Sequence, residues 1–337
     1  MFGEKINIYR IAEETGVSIA TVSRVIHKRA GVSESLRKKI NSVLEKYDFR
    51  PSYPSAKLQT VGIIAADCDF GDYATSVLSG VYDYVREFRM GAVLISCAGF
   101  PKDSIVQEIR ERQCAALIIV GSARLQNSLR ALSETGLPVV CVDGRTDLPG
   151  IALVDHDSYG GSMAAFKHLF ELGHRKIGYL ASCYNSYNHE CRLNAYIDGF
   201  KDAGLSFEPS WIVNSENTGT IYEQGYDAMT LILKRNPEIT ALMAAGDSLA
   251  VGAMHACSDM KLVVPDDISI VGFDNYLFCS HLNPPLTTVN HPSREEGYQA
   301  AKFVDMLMAN GGRTDSALKM LFPTELVVRN STCRCGR

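Results

Sequence analysis

From Val61 onward, short apolar runs alternate with amphipathic stretches of helical period, and this alternation constrains the fold more than any other feature of the chain. Residues 61–66 and 116–120 are two of the apolar runs, and both are rich in β-branched side chains. Strands that alternate with helices form parallel sheets through right-handed crossovers. The pattern therefore predicts an α/β body containing two Rossmann-like parallel sheets.

The strand and helix segments fall into two series, which predict two similar lobes. The first series covers residues 61–142 and the second covers residues 151–309. Ligands of open parallel sheets bind outside the carboxyl ends of the strands. We expect these ends to face each other across a cleft, so polar residues that follow strands are the candidate binding groups.

The segment before this body has the spacing of a helix-turn-helix. Ile8, Ile11 and Ala12 lie on one face of a first helix, and Gly16 ends that helix. Ser18 is placed to cap a second helix, whose valines at positions 22 and 25 point back to the same small core. A plain helical hairpin with a solvated face is the alternative interpretation.

The second helix leaves a polar face outward. Its residues are Ile19, Ala20, Thr21, Ser23 and Arg24. Such a face suits the major groove of DNA, because arginine can contact a guanine edge with two hydrogen bonds and hydroxyl groups can contact phosphates.

The charge of the chain is unevenly distributed. Residues 1–60 contain 11 Lys and Arg against 6 acidic residues, a net of +5, whereas the whole chain has a net charge of -4. A third helix from Ser33 to about Tyr47 carries four of these basic residues, at positions 37, 38, 39 and 46, either as phosphate contacts or as a solvated face. The basic head predicts a polyanionic partner, bound with salt-dependent affinity.

Composition divides the chain into a headpiece, a linker and a core. Residues 1–49 form the helix-turn-helix headpiece, residues 50–59 the hinge linker and residues 60–337 the core. Two prolines and two serines between residues 50 and 58 cannot pack as an ordinary long helix, which sets the linker boundaries.

Several classes of protein are disfavoured. The 10 cysteines are scattered, mostly within apolar runs, which predicts reduced thiols, and Cys333 and Cys335 lack a second ligand pair for zinc. No signal peptide or apolar run near 18 residues is found, so we expect a cytoplasmic protein without membrane contact. No activated nucleophile or phosphate-cradling loop is present, and His156 has no identifiable partner, so we expect no enzyme, cofactor or metal.

Beyond these inferences, the sequence resembles the LacI/GalR family of bacterial transcriptional regulators over essentially its whole length. The resemblance is carried by residues 11–26, 32–37, 49–51, 171–180, 246–254, 265–274 and 284–289. It implies a periplasmic-binding-protein-like core, a homodimer, and a palindromic operator in double-stranded DNA. It also implies that a small effector, most often a sugar, controls repression from between the lobes.

Carried over by position, the resemblance implies a set of DNA contacts. Ile19, Ala20 and Arg24 match residues that read bases, and Thr21 and Ser23 match residues that contact phosphate. The full predicted set is Ser18, Ile19, Ala20, Thr21, Ser23, Arg24, His27 and Leu58. Leu58 matches a leucine that enters the minor groove, but Pro54 interrupts the preceding segment and the linker is short, so we expect its coupling to the core to differ.

The resemblance also implies an effector site. The predicted residues are Asp72, Tyr73, Asp143, Asn188, Glu190, Arg192, Thr220, Gly246 and Asp274. Asn188 and Glu190 are added as a hypothesis, because they come just before Arg192 and can supply polar contacts. Tyr73 can stack on the ligand or only on the lobe surface. Asp143, Arg192 and Asp274 match cleft positions, where carboxylates and a guanidinium can bind sugar hydroxyls or a carboxylated ligand. Each aspartate could instead cap a helix. Gly246 and Thr220 replace an asparagine and an aromatic residue that are common in the family.

Two other functions stay open at this point. The first is a regulator of the same family that is controlled by a partner protein or a phosphorylated metabolite. The second is a small-molecule binding protein that does not bind DNA, although such a protein has no use for the headpiece.

Overall fold

The computed structural model describes residues 8–18, 21–22, 25, 32–47, 59–65, 72–96, 102–121, 126–145, 148, 150–182, 186–215, 219–310 and 318–336. The chain divides into two compact units, Met1–Leu58 and Gln59–Arg337. The linker residues 50–58 lie outside the described residues. So do six of the predicted DNA contacts, which are Ile19, Ala20, Ser23, Arg24, His27 and Leu58.

The first unit contains helix α1 (Ile8–Thr15) and helix α2 (Glu34–Lys46), with helical residues at positions 21–22 and 25 between them. Gly16 ends α1 in the left-handed region, with φ of 69°. The Ser18 hydroxyl accepts a hydrogen bond from the Thr21 N–H at 3.2 Å, which confirms the predicted cap. Buried side chains form the small core, and they are Ile11, Ala12, Val22, Val25 and Ile40.

Two lysines of α2 have partners inside this unit. The Lys39 ammonium donates a hydrogen bond to the Thr15 carbonyl at the end of α1, at 3.0 Å. The Lys46 ammonium lies 2.6 Å from the Glu14 carboxylate. These contacts attach α2 to α1, so for this pair of lysines the structure favours a role in holding the helices together.

The first lobe of the second unit is built on one sheet. Its strands are β1 (Thr60–Ala65), β2 (Gly91–Ser96), β3 (Cys114–Val120), β4 (Val139–Val142), β5 (Ile151–His156) and β11 (Lys319–Phe322). Their order across the sheet is β11-β5-β4-β3-β1-β2. Four helices cover it: α3 (Asp72–Glu87), α4 (Lys102–Glu111), α5 (Gln126–Glu134) and α10 (Ser293–Ala309).

The second lobe repeats this architecture. Its strands are β6 (Ile177–Ala181), β7 (Ile212–Asn214), β8 (Ala241–Ala244), β9 (Ser269–Asp274), β10 (Thr287–Asn290) and β12 (Glu325–Val327), in the order β12-β10-β9-β8-β6-β7. Its helices are α6 (Ser158–Glu171), α7 (Tyr187–Asp202), α8 (Ile221–Arg235) and α9 (Asp247–Asp259). Among the described strands, only the β10–β12 pair is antiparallel.

The prediction that the lobes follow one another along the chain is wrong. Strand β5 pairs with β4 in the first sheet, and α10 packs against α3 of the first lobe. Strands β11 and β12 were not predicted, and each adds an edge to a different sheet. The chain therefore crosses between the lobes after β5, after β10 and between β11 and β12. The apolar pattern of a strand records its burial but does not specify the sheet that it joins.

Close helix packing depends on glycines in both lobes. A Cβ on Gly297 of α10 would lie 1.9 Å from the Val77 carbonyl oxygen of α3, and a Cβ on Gly252 of α9 would lie 2.0 Å from the Tyr222 carbonyl oxygen of α8. These helix pairs therefore touch backbone to backbone. None of the helices that the structure describes is long and apolar enough to cross a membrane.

Candidate functional site

Polar side chains from both lobes meet where the strands end, as the fold predicts. Asp143 follows β4, and Asp155 and His156 close β5 in the first sheet. Asp274 closes β9, and His291 follows β10 in the second. The strand ends of the two sheets therefore bring five titratable side chains into one region of the core.

Arg192 of α7 is the central cation of this region and is 6% exposed. Its Nη1 donates a hydrogen bond to the Ala245 carbonyl at 2.5 Å and lies 3.6 Å from Asp274 Oδ1. Its guanidinium carbon lies 3.6 Å from the centroid of the Phe273 ring, a cation–π distance. The guanidinium is thus held by a carbonyl, a carboxylate and an aromatic face.

Asn188 lies one turn before Arg192 on α7, and its side chain bridges the lobes. The amide nitrogen donates hydrogen bonds to Oδ1 of Asp143 and to Oδ1 of Asp155, the latter at 2.8 Å. The Asp155 carboxylate also accepts the backbone N–H of His156 at 3.0 Å. Both amide hydrogens of Asn188 are therefore used by carboxylates.

A second cluster surrounds Glu296 of α10. His291 donates from Nδ1 to Glu296 at 3.0 Å and from Nε2 to Asp274 at 3.3 Å. His156 Nδ1 lies 3.2 Å from the same Glu296 oxygen, Oε1. The Tyr73 hydroxyl donates to the other oxygen, Oε2, at 3.1 Å. The Arg192–Asp274 pair is thereby connected to the Glu296 cluster through His291.

The protonation states in this cluster follow from its contacts. Burial lowers the pKa of His291, but hydrogen bonds to Asp274 and Glu296 outweigh it and raise the pKa to about 9. Burial and the neighbouring His291 lower the pKa of His156 below its ordinary value. Although burial opposes it, the two imidazoles hold the pKa of Glu296 well below its usual range. His291 is therefore charged at neutral pH, and His156 is neutral.

His156, His291 and Glu296 are close enough to suggest a metal site. However, the two imidazole rings stack with centroids 4.0 Å apart and planes at 19°. A bound ion lies near the plane of each ligating ring, about 2 Å from its nitrogen, which two nearly parallel stacked rings cannot both satisfy. The arrangement fits a shared proton network better than a metal centre.

The backbone is strained at two predicted site residues. Asp143 has φ of 58° and Asp274 has φ of 120°, values that residues other than glycine rarely adopt. Such strain is concentrated where surrounding structure fixes a functional side chain. The two aspartates occupy equivalent positions after a strand in each lobe, which makes both strong candidates for ligand contacts.

A cavity of about 640 Å³ opens next to this cluster. Its lining includes Asp72, Ser76, Asp274, Tyr276, His291 and Ser293. A Cβ on Gly246, which precedes α9, would lie 3.3 Å from Asp274 Oδ2, so the glycine leaves room beside this carboxylate. The volume suits a small ligand.

Two predicted residues lie elsewhere. Thr220 caps α8 through a reciprocal pair of hydrogen bonds with Glu223 and is exposed. Glu190 is exposed on α7, whereas Asn188 and Arg192 are buried. A spacing of two residues turns a helical side chain about 200° away from its neighbour, which separates Glu190 from the cluster.

Sequence reasoning missed Asp155, His156, His291 and Glu296. The first three could have been found, because they end or follow strands just as Asp143 and Asp274 do. Glu296 could not, since it lies in the first turn of a helix whose lobe the sequence assigned wrongly.

Comparison with known proteins places this geometry in a family. Residues 7–52 match the family model for bacterial regulatory proteins of the lacI family, and residues 166–332 match the periplasmic binding protein-like domain. The HTH-type transcriptional regulator GalR of Escherichia coli (strain K12) is 32% identical over 337 residues, covering 95% of this chain and 94% of that protein.

Solved structures share the fold across nearly the whole chain. The transcriptional regulator CelR in complex with cellobiose has a TM-score of 0.74 at 24% identity and covers 97% of this chain and 100% of its own. The lac repressor dimer bound to operator and an anti-inducer has a TM-score of 0.78 at 21% identity, with 98% and 100% covered. The chain belongs to the LacI/GalR family and is a DNA-binding transcriptional regulator.

Proposed function

We propose that this regulator is a cytoplasmic repressor whose affinity for its operator is controlled by a sugar or sugar derivative bound between the lobes. The observation that carries the proposal is the Arg192–Asp274 ion pair, whose Asp274 lines a cavity of about 640 Å³. A charged donor and acceptor held side by side can fix the direction of a ligand's hydroxyl groups. The complex of the similar regulator CelR with cellobiose supports this class of effector.

The proposed effector contacts come from both lobes. Asp143, Asn188, Arg192 and Asp274 form the buried part of the site, and Asp72 lines the cavity. Tyr73 contributes through its bond to Glu296, and Gly246 through the space it leaves. Glu190 and Thr220 are not included, because both are exposed and lie outside the cluster. No catalytic step is assigned to these groups.

On the DNA side, the proposal combines the described headpiece with the family resemblance. Ser18 and Thr21 form the cap at the start of the second helix, where backbone N–H groups are available to a phosphate. Ile19, Ala20, Ser23, Arg24, His27 and Leu58 remain proposed contacts by position. A homodimer would present two such headpieces to a palindromic operator, and the operator-bound lac repressor dimer supports this assembly.

Two measurements test the proposal. First, the operator is selected from random double-stranded DNA, and Arg24→Ala should then reduce binding to it far more than to a mismatched site. Equal losses on both DNAs would contradict base reading by Arg24.

Second, the thermal midpoint is measured against a panel of sugars, because a ligand that binds only the folded state raises it. A rise that is lost in Arg192→Ala and Asp274→Ala supports the site. A rise that both variants retain would place the ligand elsewhere. The ligand should then also change the affinity of the protein for the selected operator. A ligand without a regulatory role would leave that affinity unchanged.

A further inference from the structure

The Asp143, Asp155 and Asn188 side chains form the acceptor-rich end of the site. They do not line the 640 Å³ cavity, and Asn188 lies one helical turn from Arg192. The two hydrogens of the Asn188 amide go to Asp143 and Asp155, so the amide has no donor left for a ligand. Asp155 Oδ2 and Asn188 Oδ1 are buried and have no hydrogen-bond partner among the described residues. These residues are only 1% and 2% exposed. Unpaired buried acceptors are costly, so this end is built to receive hydrogen-bond donors.

The same end holds two carboxyl groups, both bonded to the Asn188 amide. Burial, reinforced by the nearby Asp143 carboxylate, raises the pKa of Asp155 to about 7. The Lys319 ammonium is 4.0 Å from Asp155 Oδ2, beyond hydrogen-bond distance, and its side chain is 45% exposed. At neutral pH, Asp155 is therefore ionised in only part of the molecules. A ligand that brings positive charge or polarised hydrogens to this place favours its ionised form, and an anionic ligand opposes it.

The cations of the cluster are already engaged with protein groups. Arg192 is held by the Ala245 carbonyl and by Asp274, and charged His291 lies between Asp274 and Glu296. At the cavity, Arg294 is bound through two nitrogens to Asp83. A phosphate or carboxylate that binds Arg192, His291 or Arg294 would therefore have to displace an existing carboxylate partner.

We infer that the effector carries no anionic group and presents hydroxyl or ammonium donors to the acceptor-rich end formed by Asp143, Asp155 and Asn188. Phosphorylated and carboxylated forms of the same molecule are rejected. The inference rests on the proposed function and narrows it, because it removes sugar phosphates and sugar acids from the candidate effectors.

The test uses the full-length protein and matched sets of sugars. Each set contains a neutral sugar, its amino form and its phosphate, for example glucose, glucosamine and glucose 6-phosphate, with corresponding sets for galactose and ribose, and cellobiose compared with its 6-phosphate. Affinities are measured by calorimetry. In any set that binds, the neutral or amino form should bind at least 100-fold more tightly than the phosphate.

The outcomes separate this inference from the proposed function. Preference for the amino form identifies an ammonium donor and preference for the neutral form identifies hydroxyl donors, and both support the inference. A phosphate that binds as tightly as its neutral form, or more tightly, overturns the inference and leaves the proposed function standing. Binding of no member of any set overturns the proposed function and the inference with it.

A variant tests the role of the acceptors directly. Asp155→Asn keeps the size of the side chain but removes its charge and adds a donor. It should weaken binding of the preferred sugar at least 10-fold and reduce the discrimination against the phosphate. Asp202→Asn, at the exposed end of α7, is the matched control and should change neither quantity. Unchanged discrimination in folded Asp155→Asn protein, verified by circular dichroism, would overturn the inference.

Discussion

The imidazole rings of His156 and His291 stack face to face, with centroids 4.0 Å apart and an angle of 19° between the planes. Each histidine lies where the chain passes from one lobe to the other. Two charged imidazoles cannot share such a position at low cost, and Glu296 contacts both rings. Glu296 and Asp274 therefore keep His291 charged, and burial together with the charged His291 keeps His156 neutral.

We predict that His291 makes the core less stable at alkaline pH. The pKa of His291 is raised from its ordinary value of 6.5 to about 9, so its contribution is full below pH 6.5 and disappears as the pH rises to 9. A difference of two to three pKa units corresponds to about 3 kcal/mol. Between pH 6.5 and pH 9, the wild-type free energy of unfolding should fall by about that much more than in His291→Gln, measured by urea denaturation. Equal slopes in the two proteins would contradict the assignment.

We predict the opposite dependence for His156. Because burial lowers its pKa, His156 is neutral in the folded protein, and stability should be lost as the pH falls below 6.5, where the unfolded chain takes up a proton. His156→Phe should flatten this acid loss between pH 6.5 and pH 5.5, measured by the same urea denaturation. A wild-type loss that persists in the variant would mean that another group is responsible.

We predict that Gly297→Ala lowers the free energy of unfolding by about 2 to 3 kcal/mol, because the added methyl would lie 1.9 Å from the Val77 carbonyl oxygen and force α10 away from α3. Alanine's higher helix propensity offsets only about 1 kcal/mol. Gly336→Ala is the control, since its new methyl meets nothing within 4 Å. Urea denaturation measures both variants, and equal stabilities would show that the two helices can separate freely.

We predict that Arg192→Lys weakens effector binding at least tenfold, which corresponds to about 1.4 kcal/mol. A lysine keeps the charge but cannot lie flat on Phe273 while contacting the Ala245 carbonyl and Asp274. Calorimetry with a sugar that binds the wild type measures the change. Retention of wild-type affinity would mean that the guanidinium shape is not used.

We predict that Lys39→Met loosens the first unit, because Lys39 donates to the last carbonyl of α1. The loss should be about 1 kcal/mol, as expected for one hydrogen bond. Hydrogen–deuterium exchange of the peptide covering residues 8–18 should become faster. The control is Lys38→Met, the same substitution at the adjacent lysine, and it should leave this exchange unchanged. Identical exchange in both variants would argue against this contact.

Much of the site could be predicted from local sequence. Asp143 and Asp274 were predicted from the resemblance, and the local pattern agrees, because a polar residue at the end of a buried run lies at the carboxyl end of its strand. Arg192 and Asn188 share one face of α7 because they are four residues apart. In each case the local pattern agrees with the position that the resemblance supplied.

Other contacts could not be predicted in this way. Glu296 meets His156, Tyr73 and His291 only because α10 returns to the first lobe. Glu190 was predicted from its position just before Arg192 in the chain, which does not show on which face of α7 its side chain lies. The choice of sheet for β5, β11 and β12 likewise depends on partners far away in the chain.

The sequence by itself determined the helix-turn-helix, the alternating strands and helices, the charge asymmetry and the family. Each of these is encoded by apolar spacing or local composition. Only the tertiary structure decided which lobe each strand joins, that Asn188 of the second lobe links two carboxylates of the first, and that a stacked histidine pair shares Glu296. Contacts of this kind join distant residues, and the Tyr73–Glu296 hydrogen bond spans 223 positions. Such pairings are selected by packing of the whole core and not by the properties of any one segment.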